Sequence, residues 1–195
     1  EANGLLVNVN DGKIKIAKPD TAASPVLDLA YGSSVLEFEA EMDARNQWKN
    51  VKASSWDYAN QQLFQAEASE ASKFKQHGNI SGSTLSDAIK LPNYEMRHSG
   101  HALEQELQDW ADGAMLRSRL GKIRGRAKFT GFSGIKPGDM VNLDGVGNRF
   151  KGNAFVSGVK HEIGNGIWDT HIQFGLDPER YGNTRTDLQD LPAAG

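Results

Sequence analysis

The sequence predicts a mainly β protein with one long helix, an α+β chain whose strands build small antiparallel β-barrels. Three observations carry this expectation. From Gly121 to Leu176, strand-like runs alternate with turns bearing Gly, Pro, Asn or Asp. The 195 residues include 21 glycines, many of them in that last third, which favours a turn-rich fold. A sustained helical stripe is found in one stretch only, Ser99 to Leu120.

Composition narrows the function classes. The chain is long enough to bury a sizeable core in one large or two small domains. It contains no cysteine, which excludes disulfides and thiolate metal sites. The net charge of -3 argues against a general polyanion binder. No apolar run approaches the roughly 20 residues that a membrane-spanning helix needs, so no membrane insertion is expected. Glu1-Ala2-Asn3-Gly4 has the form of a last helical turn ending on a left-handed glycine. The chain is therefore expected to be a piece of a longer one.

Taken in order, Leu5–Val9 and Lys13–Ala17 flank Asn10-Asp11-Gly12, a strong hairpin signal. Pro19 ends the second strand, and 20–33 follow as a loop. From Val35 to Asp43, Leu36, Phe38, Ala40 and Met42 share one strand face, and Glu37, Glu39, Glu41 and Asp43 share the other. Trp48–Trp56 is expected as the return strand, with Lys49 and Lys52 opposing those acids. Asp57–Lys75 lacks clear periodicity and is expected as loop with some helix. The Gly/Ser-rich stretch 77–86 is expected as a flexible linker.

In the long helix, Leu103, Leu107, Trp110 and Ala114 lie on one face, with Ser99 as N-cap and Gly121 as terminator. The β unit after it opens on Lys122, Arg124, Arg126 and Lys128, a basic strand face with Phe129 on the other side. A Lys136-Pro137-Gly138-Asp139 turn leads to a short strand at Met140–Leu143. Ala154–Ile163 and Ile167–Leu176 then form a hairpin about Gly164-Asn165-Gly166. In its second arm, Trp168, Thr170, Ile172 and Phe174 alternate with Asp169, His171 and Gln173, the pattern of a small barrel wall. The polar residues after Asp177-Pro178 are expected to be a tail or linker. The expected organisation is 1–97 as a partial β-rich domain with hairpins at 5–17 and 35–56, 98–180 as helix plus β-barrel, and 181–195 as a tail.

Several motifs together carry a resemblance. They are Leu107, Trp110 and Ala111 of the helix, then Arg124-Gly125-Arg126, Ile135-Lys136-Pro137-Gly138-Asp139 and Val141-Asn142-Leu143. Phe150-Lys151-Gly152, Val156-Ser157-Gly158-Val159-Lys160-His161-Glu162-Ile163 and Gln173-Phe174-Gly175 complete the series. In this order they resemble the hub region of VgrG proteins, the spike proteins of type VI secretion systems, which are related to the baseplate hubs of contractile phage tails. Ala2-Asn3-Gly4-Leu5-Leu6-Val7 and the first hairpin fit the same family, so the resemblance covers roughly residues 1–180. It implies small barrels of the phage tail hub type and a non-enzymatic homotrimer that adapts a hexameric inner tube to a threefold spike. Implied partners are the tube protein, baseplate components and a spike-tip protein or effector. Implied location is cytoplasmic assembly followed by ejection from an injection apparatus, or a virion-like particle.

The candidate site residues are the two charged stripes, Lys122, Arg124, Arg126 and Lys128 on one strand and Glu37, Glu39, Glu41 and Asp43 on another. The basic stripe is expected to be a solvated face, or to face a neighbouring subunit or the lumen, and the acidic stripe to be a solvated or subunit-facing strand edge. The sharper expectation is that the two meet across a barrel–barrel interface and set subunit register. The acids are spread by strand pitch, so they do not converge on one cation. The basic strand lacks the aromatic platforms of a nucleic-acid site, so no specific nucleic acid is expected. His98 and His101 form an HxxH pair without a nameable third ligand, and neither metal nor cofactor is expected. His161 and His171 are expected to approach each other across the last hairpin, and Trp110 and Trp168 to lie in the core. No nucleophile motif or phosphate loop is present, so no enzyme is expected. The alternative function is a small-ligand, glycan or nucleic-acid binding β-barrel.

Overall fold

The computed structural model describes residues 3–10, 12–69 and 76–177. The strands are β1 (Leu6–Asn10), β2 (Lys13–Ala17), β3 (Leu27–Ala30), β4 (Val35–Met42), β5 (Asn50–Asp57), β6 (Gln62–Ser69), β7 (Asn93–His98), β8 (Ile123–Thr130), β9 (Met140–Asp144), β10 (Gly152–Gly164) and β11 (Ile167–Phe174). Among the described residues there are two helices, α1 (Gly82–Ile89) and α2 (Glu104–Leu120), where one helix, Ser99–Leu120, was expected; α1 begins in the stretch expected as a linker. The strands form a two-stranded sheet β1-β2, a six-stranded sheet β3-β9-β10-β11-β8-β4 and a three-stranded sheet β6-β5-β7. The six-stranded sheet curls into a half-barrel around Leu29, Val35, Ala127, Phe129, Val141, Leu143, Val156, Ile172 and Phe174. Its edge strands β3 and β4 are consecutive in sequence, bridged at Tyr31 and Val35.

The six-stranded sheet draws on both sides of the boundary expected at 97/98, because β3 and β4 join β8–β11. The expected hairpin 35–56 does not form. β4 pairs antiparallel with β8, and everything from β5 to α2 is inserted between these neighbours. The reason is register. β8 sets Lys128 opposite Glu37, Arg126 opposite Glu39 and Arg124 opposite Glu41, a better match than Lys49 and Lys52, which do not alternate in step with the acids. Those lysines instead lie beside Asp87 and Glu67. β5 turns Val51 and Ala53 onto α2, where Leu107, Ala111, Ala114 and Met115 cover them.

Gln62–Ser69, expected as loop with some helix, is strand β6 because it pairs along its full length with β5. Its Gln, Glu and Ala content favours helix locally, and the tertiary pairing overrides that preference. The second half of the 77–86 stretch belongs to α1. Ser81 caps α1 by accepting the Thr84 N–H at 3.0 Å. β7, parallel to β5, follows. α2 begins at Glu104, five residues after the expected cap at Ser99. The Ser55 hydroxyl holds the intervening turn by donating to Gly100 O at 3.0 Å and accepting from the Ala102 N–H at 2.9 Å. The Glu106 carboxylate then accepts the Leu103 N–H at 2.9 Å, satisfying one backbone donor at the helix start. The expected tail 181–195 lies outside the described residues.

Two features seat the half-barrel. Arg119, 4% exposed near the end of α2, donates to Trp48 O at 2.8 Å and Gln47 Oε1 at 3.2 Å. It thereby ties the loop after β4 to the helix that precedes β8. Gly125, in β8, lies where a Cβ would come within 2.2 Å of Glu39 O and 2.6 Å of the Phe174 ring. A side chain there would push β4 away and displace Phe174, which stacks on Phe38 at 5.9 Å. Gly125→Ala is accordingly expected to cost about 3 kcal/mol, the upper end of overpacking penalties. Gly164→Ala, in open space at the hairpin tip, should leave the urea midpoint nearly unchanged. Equal midpoints for the two variants would refute the close-approach role of Gly125.

Candidate interaction surface

Strand alternation carries the charged residues of β4, β8, β11 and β10 to the outside of the half-barrel. Across these four strands the register aligns Glu37, Lys128, His171 and Lys160 in one row and Glu39, Arg126 and Gln173 in the next, where Gly158 of β10 leaves a gap. A shallow trough of about 500 Å³ follows these rows.

The acids and bases of this face are paired within the chain. Arg126 Nε donates to Glu39 Oε2 at 2.7 Å. Lys128 Nζ lies 3.1 Å from Asp169 and 3.7 Å from Glu37. Arg124 is the most enclosed base of the row, with its side chain 19% exposed, and it reaches Glu41 at 2.8 Å, Asp177 at 2.9 Å and Asp43 at 3.6 Å. Beyond β8, Glu162 accepts from Lys160 at 2.5 Å and lies 3.0 Å from His171 Nε2. The hydrogen bond with Asp169 holds the Lys128 ammonium above its ordinary pKa, and that with Glu39 does the same for Arg126. The hydrogen bonds from Arg45 hold the Asp43 carboxyl low against the opposing effect of burial. Those from Lys160 and His171 hold Glu162 low. These shifts describe a charge lattice that fixes strand register; none sets up a proton-transfer pair.

The structure thus brings both sequence stripes together, along one strand pair of a single chain. The exception is Lys122. It is 2% exposed, and its Nζ donates to Ile80 O at 2.6 Å. It anchors residues 76–80 against the half-barrel and takes no part in the outer row. His161 and His171 sit at adjacent registers, opposite Thr170 and Lys160, so they project from opposite faces and do not meet. His161 Nδ1 lies 3.1 Å from the Thr170 hydroxyl. Trp168 is 39% exposed and packs over Gly131, which corrects its expected place in the core. His98 and His101 diverge, one against the Trp110 ring and the other against Phe64.

One half-buried titratable group escaped the sequence reading. His77 Nε2 lies 2.8 Å from Phe150 O, and the ring meets Phe174 edge-on at 6.1 Å. A carbonyl only accepts, so Nε2 carries the proton. Burial depresses the His77 pKa to about 4, and nearby Lys122 adds to the effect, while the Phe150 carbonyl opposes it. The signal was the sequence position beside Gly78, whose Cβ would lie 2.1 Å from Arg149 O. That close approach becomes visible only once β10 is in place.

Comparison with solved structures places this architecture among phage tail proteins. The tail protein from Neisseria meningitidis MC58 matches at a TM-score of 0.60 and 14% identity, over 90% of this chain and 52% of that one. The 43 kDa tail protein of prophage MuSo2 from Shewanella oneidensis matches at a TM-score of 0.62 and 10% identity, over 88% and 50%. A chain of the native gene transfer agent virion matches at 0.51 and 17% identity, over 92% and 38%. The fold is of the phage tail type, and the chain spans about half the length of the first two tail proteins. The chain belongs to the family described as the Alg8 N-terminal domain, whose model matches residues 1–165. No curated protein matches it. No helix among the described residues is long and apolar enough to cross a membrane.

Two expectations follow from this surface. Arg124→Glu should cost about 2 kcal/mol, because it leaves three carboxylates facing a fourth, and Arg126→Glu, at an exposed pair, should cost less. Adding Glu41→Arg to the first and Glu39→Arg to the second should recover part of each loss in thermal melts. Absence of any recovery would refute the register role. His77 has a folded pKa below its unfolded value, so its contribution is fully present above about pH 6.5 and is lost as pH falls towards 4. Urea melts should show about 3 kcal/mol lost across that window. His77→Gln keeps a donor without titrating, and it should flatten the slope between pH 6.5 and 4.5. An unchanged slope would remove His77 as its source.

Proposed function

We propose that the chain is a structural module of a tail-like contractile machine, the hub part of a VgrG-like spike that adapts a hexameric inner tube to a threefold spike. The observation that carries this reading is the match of about nine-tenths of the chain to tail proteins, joined to a sheet face whose charges are spent on holding strands in register. The module acts by geometry and turns over no substrate. Its copies close into a trimer whose symmetry fixes the diameter presented to the tube. The half-barrel completes into a small barrel in that assembly, and the tube protein, baseplate components and a spike-tip protein or effector are its partners. The module assembles in the cytoplasm and leaves with an ejected spike, or resides in a virion-like particle.

A nucleic-acid barrel has less support. Each outward base of β8 has a carboxylate within 4.0 Å, so this strand presents no uncompensated basic field to release counterions from a phosphate backbone. The deciding experiment tags the protein and locates the tag by cryo-electron microscopy of assembled particles. The expected density lies at the junction of tube and spike in three copies per particle. A tag spread along the tube, or absent from particles, would sink the proposal.

A further inference from the structure

The hairpin β1-β2 presents an apolar face to solvent. Val7, Val9, Ile14 and Ile16 are 53%, 64%, 70% and 61% exposed. Register sets Val7 opposite Ile16 and Val9 opposite Ile14, so the four form one patch. The other face holds Leu6, Asn8, Lys13, Lys15 and Ala17, and there Asn8 Nδ2 donates to Pro137 O. A two-stranded ribbon with an uncovered β-branched face is marginal by itself in water. Strand β2 alternates Lys13-Ile14-Lys15-Ile16 and, like β1, has one unpaired edge.

The half-barrel ends in the complementary strand. β4 is its edge, and past the Tyr31–Val35 bridge at its start no strand among the described residues pairs with the side of β4 that faces away from β8. β4 alternates Glu37, Glu39 and Glu41 outward with Phe38, Ala40 and Met42 inward, and those three pack only partly buried against the core. The side chains of Glu37, Glu39 and Glu41 remain 74%, 68% and 68% exposed although each has a base on its β8 flank. Their other flank faces the open edge.

We infer that β2 of one chain adds to the open edge of β4 in a second copy of the chain. Strand addition preserves faces. Lys13 and Lys15 then lie beside the Glu37–Glu41 row, while Ile14 and Ile16 extend the apolar interior beyond Phe38, Ala40 and Met42. With the opposite facing, lysines would enter the apolar side and isoleucines would cover carboxylates, so charge complementarity selects one orientation. The occupant is a second copy of the chain: the Lys/Ile alternation of β2 matches the Glu/apolar alternation of β4, and within one chain the hairpin is held at the turn before β9 by the Asn8–Pro137 contact. The contact joins two different surfaces, so it is heterologous and builds a ring or an open array. The partner assignment rests on reading the chain as an assembling component.

The test uses the full chain. A mixture of ¹⁴N- and ¹⁵N-labelled protein is treated with a carbodiimide, which joins lysine to carboxylate without a spacer. Mixed-isotope peptides linking Lys13 or Lys15 to Glu37, Glu39 or Glu41 are expected. In sedimentation, Lys13→Glu/Lys15→Glu and, separately, Ile14→Thr/Ile16→Thr should each weaken self-association at least about tenfold, with circular dichroism confirming that both remain folded. Cross-links from these lysines to carboxylates outside β4 only, or association unchanged in both variants, would overturn the inference and leave the assembly reading intact. Wild-type protein that stays monomeric at about 1 mM would overturn it too. The assembly reading would still be decided by the particle location of the tagged protein.

Discussion

The pairing of β4 with β8 is the contact on which the rest of the chain depends. It joins strands such as those of Glu39 and Arg126, 87 positions apart. Closing a loop of that length costs about 4 kcal/mol in chain entropy before any constant is added, and a few surface ion pairs do not offset this alone. The closure is carried by what lies beneath them. Gly125 lets the two backbones approach, the Phe174 ring fills the space a side chain would have taken, and Phe38 stacks on that ring. The outer charges then decide which register the approach adopts. A slip of one residue would turn Glu39 inward and Phe38 outward.

The insertion between these two strands is a packed body with its own core. β5, β6 and β7 bury Val51, Ala53, Ala66, Ala68 and Met96 against α2. The end of α2 also reaches the half-barrel side, where Leu120 packs with Met140, Phe155 and Leu176. The same helix therefore serves two cores. Its last turn is pinned by Gln47, which donates to Ser118 O at 2.5 Å, and by the Ser118 hydroxyl, which donates to Asn46 O at 2.6 Å. Fixing the loop after β4 to the helix before β8 shortens the effective distance that the strand pairing must close. Gln47, Ser118 and the Arg119 terminal nitrogens bond one another or nearby carbonyls at this junction, and their loss would be felt in both cores.

The legible part of the fold is the part encoded locally. The last hairpin, with Asn165 at φ 51° and Gly166 at φ 76°, and the Lys136–Asp139 turn, where the Lys136 N–H meets Asp139 Oδ2 at 2.8 Å, follow from turn chemistry visible in the sequence. The two charged stripes were equally visible, since period-two alternation needs no tertiary knowledge. Their pairing within one chain was not, because sequence proximity favoured 48–56 as the partner of β4 and nothing local advertises a strand beyond an inserted body. β6 was hidden for a related reason: its residues prefer helix, and only β5 makes them a strand. His77 was hidden because its burial comes from Phe150 and Phe174, which are distant in sequence.

A charge row satisfied on one flank and open on the other is a poor place to stop a sheet. Natural edge strands are blunted by charge, bulges or covering segments. β4 has the first of these and carries a register shift between Val35 and Glu37. Past that point it runs regularly to Met42, with its apolar residues only partly covered. Protection by charge works by repelling a strand of like or neutral character. It attracts one whose charges are opposite and in phase, and the exposed hairpin of this chain is such a strand. The same glutamates that hold β8 in register therefore also determine what the edge rejects and what it admits, so that internal register and intermolecular selectivity arise from one row of side chains.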